Sequence, residues 1–191
     1  KDTSGLLLIA KRPEAKAHLA RQFFNKTTHR SYRALVWGRF DEAEGTVIGN
    51  IGRDSTDRLQ MSVYPEGSDK GKHAVTHYQV LEELAYVSWI ECRLETGRTH
   101  QIRVHMAHIA HPLLGDQTYG GRPRPPKNAS EDFMEVLRNF KRQALHAVML
   151  RLAHPITGEM MEWYAPLPDD FVELLHALKA DYLEHKDELD Y

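Results

Sequence analysis

The chain has 191 residues, 41% of them hydrophobic, so it can bury a substantial core and is most simply one domain. Its apolar runs fall short of the roughly 18 residues of a membrane span, and the first is followed by charge rather than a signal-peptide cleavage site. These features predict a soluble protein. The single cysteine, Cys92, excludes an internal disulfide, fits a reducing cytoplasm, and lies in an alternating apolar stretch typical of a buried side chain.

Charge is unevenly distributed along the chain. The net charge of −2 argues at first against a polyanionic partner, but residues 166–191 hold eight acidic residues and only two lysines. Residues 11–40 hold eight basic residues against Glu14 alone. Because local positive density determines attraction to phosphate, this basic region is a candidate for contact with a polyanion. A solvated helix face followed by a charged edge strand explains the same composition.

In chain order, runs of β-forming residues alternate with amphipathic segments. Strands are predicted at residues 5–10 (buried), 31–38, 45–54, 58–65, 73–84 and 86–96, and a hairpin at 145–167 turns near 156–158. Helices are predicted at residues 12–26, 99–110, 130–140 (capped by Ser130) and 169–186. Residues 45–54 and 58–65 are expected to pair, and residues 111–128 to form a structured surface loop. This order indicates an α+β fold with a mixed, largely antiparallel sheet flanked by helices.

The predicted helix at residues 99–110 is rich in histidine. His105 and His108 share a face with Gln101, as two zinc ligands one turn apart would. A catalytic zinc site needs a third ligand and usually a carboxylate base, yet no H-E-x-x-H motif is present and Asp116 lies beyond a proline and a glycine. Histidines that pack or hydrogen-bond within the fold are the favoured interpretation, and a zinc hydrolase is the alternative.

Arg103 follows Ile102, which belongs to the apolar stripe of the same helix. A guanidinium at the margin of a core needs an acceptor, because an unpaired buried charge is costly. Two partners suit its forked geometry, a carboxylate and a phosphate. An ion pair internal to the fold and a contact with a ligand or a catalytic group are both consistent with the spacing.

Five blocks of the sequence, most of them long, resemble the RluA-type RNA pseudouridine synthases and occur in the same order. They are TSG at residues 3–5, RSYRALVWG at 30–38, HAVTHYQVLE at 73–82, GRTHQIRVHMAHIAHPLLGDQTYGG at 97–121 and LHAVMLRLAHPITGEMMEWYAPLP at 145–168. The segment GGRPRPPKNASEDF and the acidic tail are similar to the RluD-type branch, which acts on large-subunit rRNA. The resemblance implies one pseudouridine synthase catalytic domain over residues 1–191, with no cofactor and no metal. It also implies that the N-terminal part of that fold and an S4-like RNA-binding module are missing from this chain.

In that family the nucleophile is an aspartate, in a motif that runs His-Arg-Leu-Asp, two residues, then Thr-Ser-Gly. Matching the last three residues to Thr3, Ser4 and Gly5 puts the aspartate immediately before Lys1. Asp2 lies one residue before Thr3, where the motif requires three, so it is not assigned as the nucleophile.

Supporting roles follow from the resemblance by position. Tyr32, in a Lys-x-Tyr-x-Ala motif with Arg30 in place of the lysine, is similar to the tyrosine that stacks on uracil and moves a proton. On spacing alone, Tyr32 is an ordinary strand aromatic. Arg103 is similar to the arginine that pairs with the nucleophile, and Ile102 to the aliphatic wall of the base pocket. Basic residues near these motifs are candidate phosphate contacts: Arg98, Arg30, Arg122, Arg124 and Lys127.

We therefore expect a monomeric cytoplasmic enzyme that isomerises uridine to pseudouridine in 23S rRNA, free or in a pre-50S particle, with the helix 69 stem–loop as substrate. The chain by itself is expected to be inactive, because the nucleophile is not in it. The alternative from another class is a non-catalytic RNA-binding module, in which loss of Tyr32 or Arg103 would weaken RNA affinity without abolishing turnover.

Overall fold

A computed structural model describes residues 1–189; Asp190 and Tyr191, at the end of the acidic tail, lie outside the described residues. The helices of the described part are α1 (Pro13–Phe24), α2 (Gln101–His108), α3 (Glu131–Asn139) and α4 (Asp169–Leu189). Its strands are β1 (Ser4–Gly5), β2 (His29–Trp37), β3 (Glu44–Ile48), β4 (Asn50–Arg53), β5 (Met61–Tyr64), β6 (Val75–Leu84), β7 (Val87–Leu94), β8 (Leu145–Ala153) and β9 (Met160–Tyr164).

Seven of these strands form one sheet. Their order is β1-β8-β2-β7-β6-β3, and β9 also pairs with β8. Every pair is antiparallel except β1 with β8. The remaining two strands, β4 and β5, form a separate antiparallel hairpin. The predicted α+β class and largely antiparallel sheet are confirmed.

The two faces of the sheet carry separate cores, because successive side chains of a strand point to opposite sides. On β2, Leu35 belongs to the core that α3 and α4 cover, whereas Ala34 belongs to the core beneath α2. Cys92 is fully buried in the second core, and burial raises the pKa of its thiol to about 12. The prediction of a packed, unreactive cysteine is confirmed.

The prediction of a buried strand at residues 5–10 is wrong. Only Ser4 and Gly5 pair with β8, and the side chains of Leu7 and Ile9 are 82% and 72% exposed. The neighbouring edge of β8 is occupied from Met149 onward by β9, so the chain has no strand to pair with after Gly5. The apolar run of residues 5–10 does not indicate that β9 pairs with β8 at the positions this segment would need.

The predicted hairpin of residues 45–54 and 58–65 is wrong in part. Residues 45–48 belong to β3, which pairs with β6 in the main sheet, and only β4 and β5 pair with each other. Gly49 separates β3 from β4, and a Cβ added to it would lie 2.7 Å from Val63 of β5. Glycine permits the close approach at which the chain leaves the main sheet for the hairpin.

Helix α2 begins at Gln101 rather than near Thr99, and its residues 101–106 are all buried. The side chain of Gln101 fastens the preceding turn to the sheet: it accepts a hydrogen bond from the amide of Arg98 and donates to the carbonyl of Val75. His100 has a φ of 57°, in the left-handed region that non-glycine residues rarely adopt. The periodicity of this segment predicts a core stripe of Ile102, Met106 and Ile109; the first two are buried, and Ile109 is partly buried against the same core.

Helices α3 and α4 are joined through one buried acid of the C-terminal segment. Asp181 accepts hydrogen bonds from the amide of Ser130 at 2.6 Å and from the hydroxyl of Tyr86 at 2.5 Å. Ser130 in turn caps α3, as predicted, by accepting from the amide of Phe133. Part of the acidic segment therefore serves the fold. Within residues 1–189, no helix has the length and apolar character of a membrane span.

Packing of α4 on the sheet predicts unequal effects for two leucines of this helix. Leu174→Ala removes a fully buried side chain and should lower the free energy of unfolding by about 2–5 kcal/mol. Leu183→Ala, at a position that is 62% exposed, should change it by no more than about 0.5 kcal/mol. Urea unfolding followed by circular dichroism measures both, and equal losses would contradict this packing.

Candidate active site

A cleft of about 620 Å³ opens where the N-terminus of α2 meets β1 and the ends of β2, β7 and β8. Four residues that the sequence analysis selected line it: Tyr32, Arg98, Ile102 and Arg103. They come from a strand and from the turn and helix that follow β7, and the tertiary structure brings them together. We call this the Tyr32–Arg103 cleft.

Tyr32 lies at an irregularity of the sheet. The register between β2 and β8 shifts between Ser31 and Tyr32, and a bulge of this kind re-aims a side chain. The ring is partly buried against the core that contains Ile102. Burial raises the pKa of the Tyr32 phenol, and the positive charge of Arg30 opposes that shift. At neutral pH the cleft therefore presents an uncharged aromatic side chain beside an aliphatic wall.

The N-terminal residues are held at the edge of the same cleft. Gln143 donates hydrogen bonds from Nε2 to the carbonyl of Lys1 at 2.9 Å and to the hydroxyl of Thr3 at 3.2 Å. Lys1 and Thr3 line the cleft, whereas Asp2, between them, is exposed and is not part of the lining. Burial lowers the pKa of Arg103, whereas Asp116, and after it the charges of Tyr119 and Asp2, raise it. That the nucleophile is a residue other than Asp2 stays a prediction.

Arg103 forms a buried ion pair with Asp116, from the loop after α2. Its Nε donates to Oδ2 at 2.7 Å and its Nη2 to Oδ1 at 2.9 Å, a two-pronged contact that fixes the plane of the guanidinium. The ring of Tyr119 lies 5.0 Å from the guanidinium carbon. Of the two alternatives for Arg103, the ion pair internal to the fold is confirmed. Pairing with a catalytic aspartate stays a prediction, and Nη1 is the nitrogen that the contact with Asp116 leaves for it.

Asp116 organises its own loop as well as Arg103. Its Oδ1 also accepts from the amides of Thr118 and Tyr119, each at 2.9 Å. Burial alone would raise the pKa of the Asp116 carboxyl, but the hydrogen bond from Arg103 and those two amides outweigh burial and lower it. Asp116 is therefore an anion that pairs with Arg103 behind the cleft.

A hydrogen-bonded tyrosine connects this loop to the β4–β5 hairpin. The hydroxyl of Tyr119 accepts from the amide of Met61 at 2.9 Å and lies 2.8 Å from Nδ1 of His100, which lines the cleft. Burial, and then the charge of Arg103, lowers the pKa of His100, so the imidazole is neutral and can accept the hydroxyl proton. Sequence analysis did not select Tyr119, His100 or the pairing role of Asp116. The D-x-x-Y spacing indicates a turn, but not what the turn contacts.

The predicted phosphate contacts do not lie together. Arg98 lines the Tyr32–Arg103 cleft, and its Nε donates to the carbonyl of His73 at 2.9 Å. Arg30 lies in a neighbouring groove that shares Leu94 with the cleft. The three loop cations are exposed and are not part of the cleft lining: Arg122, Arg124 and Lys127.

The geometry does not support a zinc site at the histidines of α2. Nε2 of His105 donates to the carbonyl of Gly49 at 3.1 Å, and Nδ1 lies 2.8 Å from the hydroxyl of Thr76, so both ring nitrogens are occupied. Burial lowers the pKa of His105, and His108 is exposed. Within residues 1–189, no group of three or more histidine, cysteine or acidic side chains is arranged to hold a metal ion. For His105, the interpretation as a fold contact is confirmed.

Known proteins similar to this chain agree with the resemblance. A protein of Haemophilus influenzae named ribosomal large subunit pseudouridine synthase D is 67% identical over 191 residues, and its Escherichia coli K12 namesake is 53% identical. Both alignments cover the whole of this chain and 57% of the relative, so the chain spans a little over half the length of these curated relatives.

Solved structures show that the fold is shared. The human protein RNA pseudouridylate synthase domain containing 1 has 32% identity and a TM-score of 0.65, over 94% of this chain and 77% of that one. A second human protein, RNA pseudouridylate synthase domain containing 4, has 26% identity and a TM-score of 0.70. The match covers 88% of this chain and 69% of that one. The expected pseudouridine-synthase fold is confirmed. A family model described as RNA pseudouridylate synthase matches residues 1–108, more than half of the chain. By this match and these likenesses, the chain belongs to the RNA pseudouridylate synthase family.

Proposed function

We propose that this chain forms the catalytic part of an enzyme that isomerises uridine to pseudouridine in large-subunit rRNA. The observation that carries the proposal is the Tyr32–Arg103 cleft, which combines an aromatic side chain, an aliphatic wall and an arginine at the edge where Lys1 lies. The names of the relatives from Haemophilus influenzae and Escherichia coli support the choice of large-subunit rRNA. The proposed substrate within 23S rRNA is the helix 69 stem–loop, and the proposed location is the cytoplasm.

The proposed nucleophile is an aspartate at the position immediately before Lys1 in the complete protein. Consecutive Cα atoms are about 3.8 Å apart, so a residue at that position lies beside the cleft that Lys1 lines. Nη1 of Arg103 then contacts its carboxylate while Nε and Nη2 remain on Asp116. A guanidinium at that distance lowers the pKa of a carboxyl by roughly 1–3 units and keeps it ionised for attack.

The isomerisation needs no outside reactant. The bond between N1 of uracil and C1′ of ribose breaks, the base turns, and a bond forms between C5 and C1′. The proton on C5 leaves, and N1 takes up a proton, so the product has the same atoms as the substrate. In the proposal, the aspartate carries the glycosyl transfer, the Tyr32 hydroxyl moves a proton, and Ile102 holds the base.

A uridine within structured RNA must leave its stack before an enzyme can reach it. The ring of Tyr32 offers a surface on which the base can stack, and the side chains of Leu94 and Ile102 provide an apolar wall. Base–aromatic stacking contributes about 1–3 kcal/mol per base, which offsets part of the unstacking cost. Arg98 is the proposed phosphate contact at the cleft, and the exposed cations of residues 122–127, outside the cleft lining, are proposed contacts for other phosphates of the RNA. The monomeric state and the absence of a metal stay predictions.

The direct test uses the complete protein and a synthetic helix 69 stem–loop. Pseudouridine formation is measured by nuclease digestion and chromatography, with the residue before Lys1, an aspartate in this proposal, either unchanged or replaced by asparagine. We expect product only with aspartate. Binding of the stem–loop without product by the natural protein would favour the non-catalytic RNA-binding module, and a residue other than aspartate at that position would refute the mechanism.

Arg103→Lys keeps a positive charge and loses the forked geometry. If Arg103 orients the nucleophile, kcat should fall by about 10²–10³, with RNA affinity changed by less than about threefold. Arg138→Lys, at an exposed ion pair with Glu131 on α3, should leave both values unchanged. A variant that loses RNA affinity and keeps kcat would contradict the proposed role.

Two substitutions at Tyr32 separate its ring from its hydroxyl. Tyr32→Phe keeps the stacking surface and removes the proton-carrying group, so kcat should fall by about 10²-fold or more while KM is maintained. Tyr32→Leu also removes the aromatic face, so KM should rise as well. Steady-state kinetics on the stem–loop measure both variants, and identical constants for the two would indicate that the ring does not stack on the base.

Asp116→Asn breaks the buried pair with Arg103. At pH 7 it should lower the free energy of unfolding by about 3–5 kcal/mol, because a buried guanidinium is left without its counter-charge. The folded-state pKa of Asp116 lies below its ordinary 3.8, so its contribution is complete above that pH and disappears as pH falls through the lower, folded value. The difference between natural and variant proteins in urea unfolding should therefore shrink in acid.

The matched control for this prediction is Asp170→Asn, at a half-exposed pair with Arg142. It should cost no more than about 1 kcal/mol at pH 7. Equal losses for the two variants would show that burial does not strengthen the Arg103–Asp116 pair.

A further inference from the structure

A second groove adjoins the Tyr32–Arg103 cleft. It has a volume of about 400 Å³, crosses the ends of β2, β7, β8 and β9, and shares Leu94 with the cleft. Four arginines and two glutamates are among its lining residues: Arg30, Arg33, Arg93, Arg151, Glu91 and Glu162. We call it the arginine groove. It meets the cleft at Leu94, and its arginines outnumber its glutamates.

The arginines of this groove differ in how well they are paired. Arg33 and Arg93 both donate to Glu91, which satisfies that carboxylate. Within residues 1–189, the side chain of Arg30 takes part in no hydrogen bond or ion pair, and its Nε is the one buried side-chain nitrogen or oxygen without a partner. Burial lowers the pKa of Arg30, yet an arginine remains charged at neutral pH.

The guanidinium of Arg30 is nevertheless held in place. Its carbon lies 4.9 Å from the centroid of the Phe23 ring, a cation–π contact with α1. On another side it meets the backbone after β7, where a Cβ on Gly97 would lie 2.6 Å from Nη1. An aromatic ring and a glycine thus fix a forked donor whose hydrogen-bonding capacity is unused among the described residues.

An unpaired, partly buried cation weakens a fold, because its lost hydration is not replaced. Burial without an acceptor is therefore understandable if the acceptor arrives with a ligand. The guanidinium fork matches two oxygens of one phosphate, and the groove begins at Leu94, beside the proposed base pocket. An RNA strand whose uridine occupies the cleft would have its neighbouring phosphates within reach of this groove.

We propose that the arginine groove binds the phosphodiester backbone of the RNA strand next to the uridine, with Arg30 as the ligand of one phosphate. This inference rests on the proposed function for the position of the strand. It gives Arg30 a role separate from Arg98, which lies within the cleft, and from the exposed loop cations of residues 122–127.

The experiment compares Arg30→Gln, Arg30→Lys and the natural complete protein, with a fluorescent helix 69 stem–loop as the probe. Dissociation constants are measured by anisotropy over a series of salt concentrations. Arg30→Gln should raise Kd about tenfold and reduce the slope of log Kd against log salt by about 0.7–0.9, the amount for one phosphate. Arg30→Lys should keep the slope, because charge is retained, with a weaker affinity because the fork is lost.

A second measurement separates binding from folding. Because the side chain of Arg30 has no acceptor within residues 1–189, Arg30→Gln should leave Tm unchanged or raise it, whereas replacing an arginine needed for the fold would lower it. The control is Arg138→Gln, at an exposed ion pair on α3 remote from the groove in sequence, which should alter neither the salt slope nor Kd.

The outcomes are distinct from those for the proposed function. The inference is overturned if Arg30→Gln leaves the slope unchanged, if Arg138→Gln lowers it equally, or if Arg30→Gln lowers Tm with affinity retained. If the natural protein binds the stem–loop through Arg30 but forms no pseudouridine, the proposed function fails and the phosphate site stands. If it forms pseudouridine and Arg30→Gln binds normally, the reverse holds.

Discussion

The buried pair of Arg103 and Asp116 is the constraint on which the candidate site depends. Neither charge can be buried alone at acceptable cost, so the loop after α2 must fold back until its carboxylate meets the guanidinium. That requirement fixes the Asp116–Gly120 turn, brings Tyr119 against Arg103, and through Tyr119 ties the β4–β5 hairpin to His100. The rear of the cleft is thus assembled around one ion pair rather than around the histidines that dominate this part of the sequence.

Two arginines near the cleft show opposite solutions to the same problem. Arg103 has its counter-charge inside the protein. The two hydrogen bonds to Asp116 fix the plane of the guanidinium and leave Nη1 for another group. Arg30 is held by a ring and a glycine but has no acceptor within residues 1–189. The first arrangement suits a positioning role at the base of a reaction site. The second suits an anion that a ligand supplies, such as a phosphate of the proposed RNA strand.

Local patterning predicted most helices and strands, because their signals are local. Pro13 at the start of α1, Ser130 at the start of α3 and the alternation of β7 each depend on a few neighbouring residues. The errors arose where distant strands compete for the same partner. Residues 5–10 lost the edge of β8 to β9, and β3 paired with β6 rather than with the segment that contains β5. In the site, the roles of Tyr119 and His100 were missed because their contacts join segments far apart in the chain.

From its sequence alone, this protein is an α+β domain whose motifs resemble the RNA pseudouridine synthases, with Tyr32, Ile102 and Arg103 as candidate site residues. Those features depend only on which residues occur in which order along the chain, and a sequence records that directly. Only the tertiary structure decided that Arg103 pairs with Asp116 and that Arg98 joins the cleft while Arg122 does not. It also decided that the side chain of Arg30 meets no acceptor in the part of the chain that the structure describes. Whether a charge is paired depends on which groups burial brings within about 3 Å, and that distance is set by packing between elements remote in sequence.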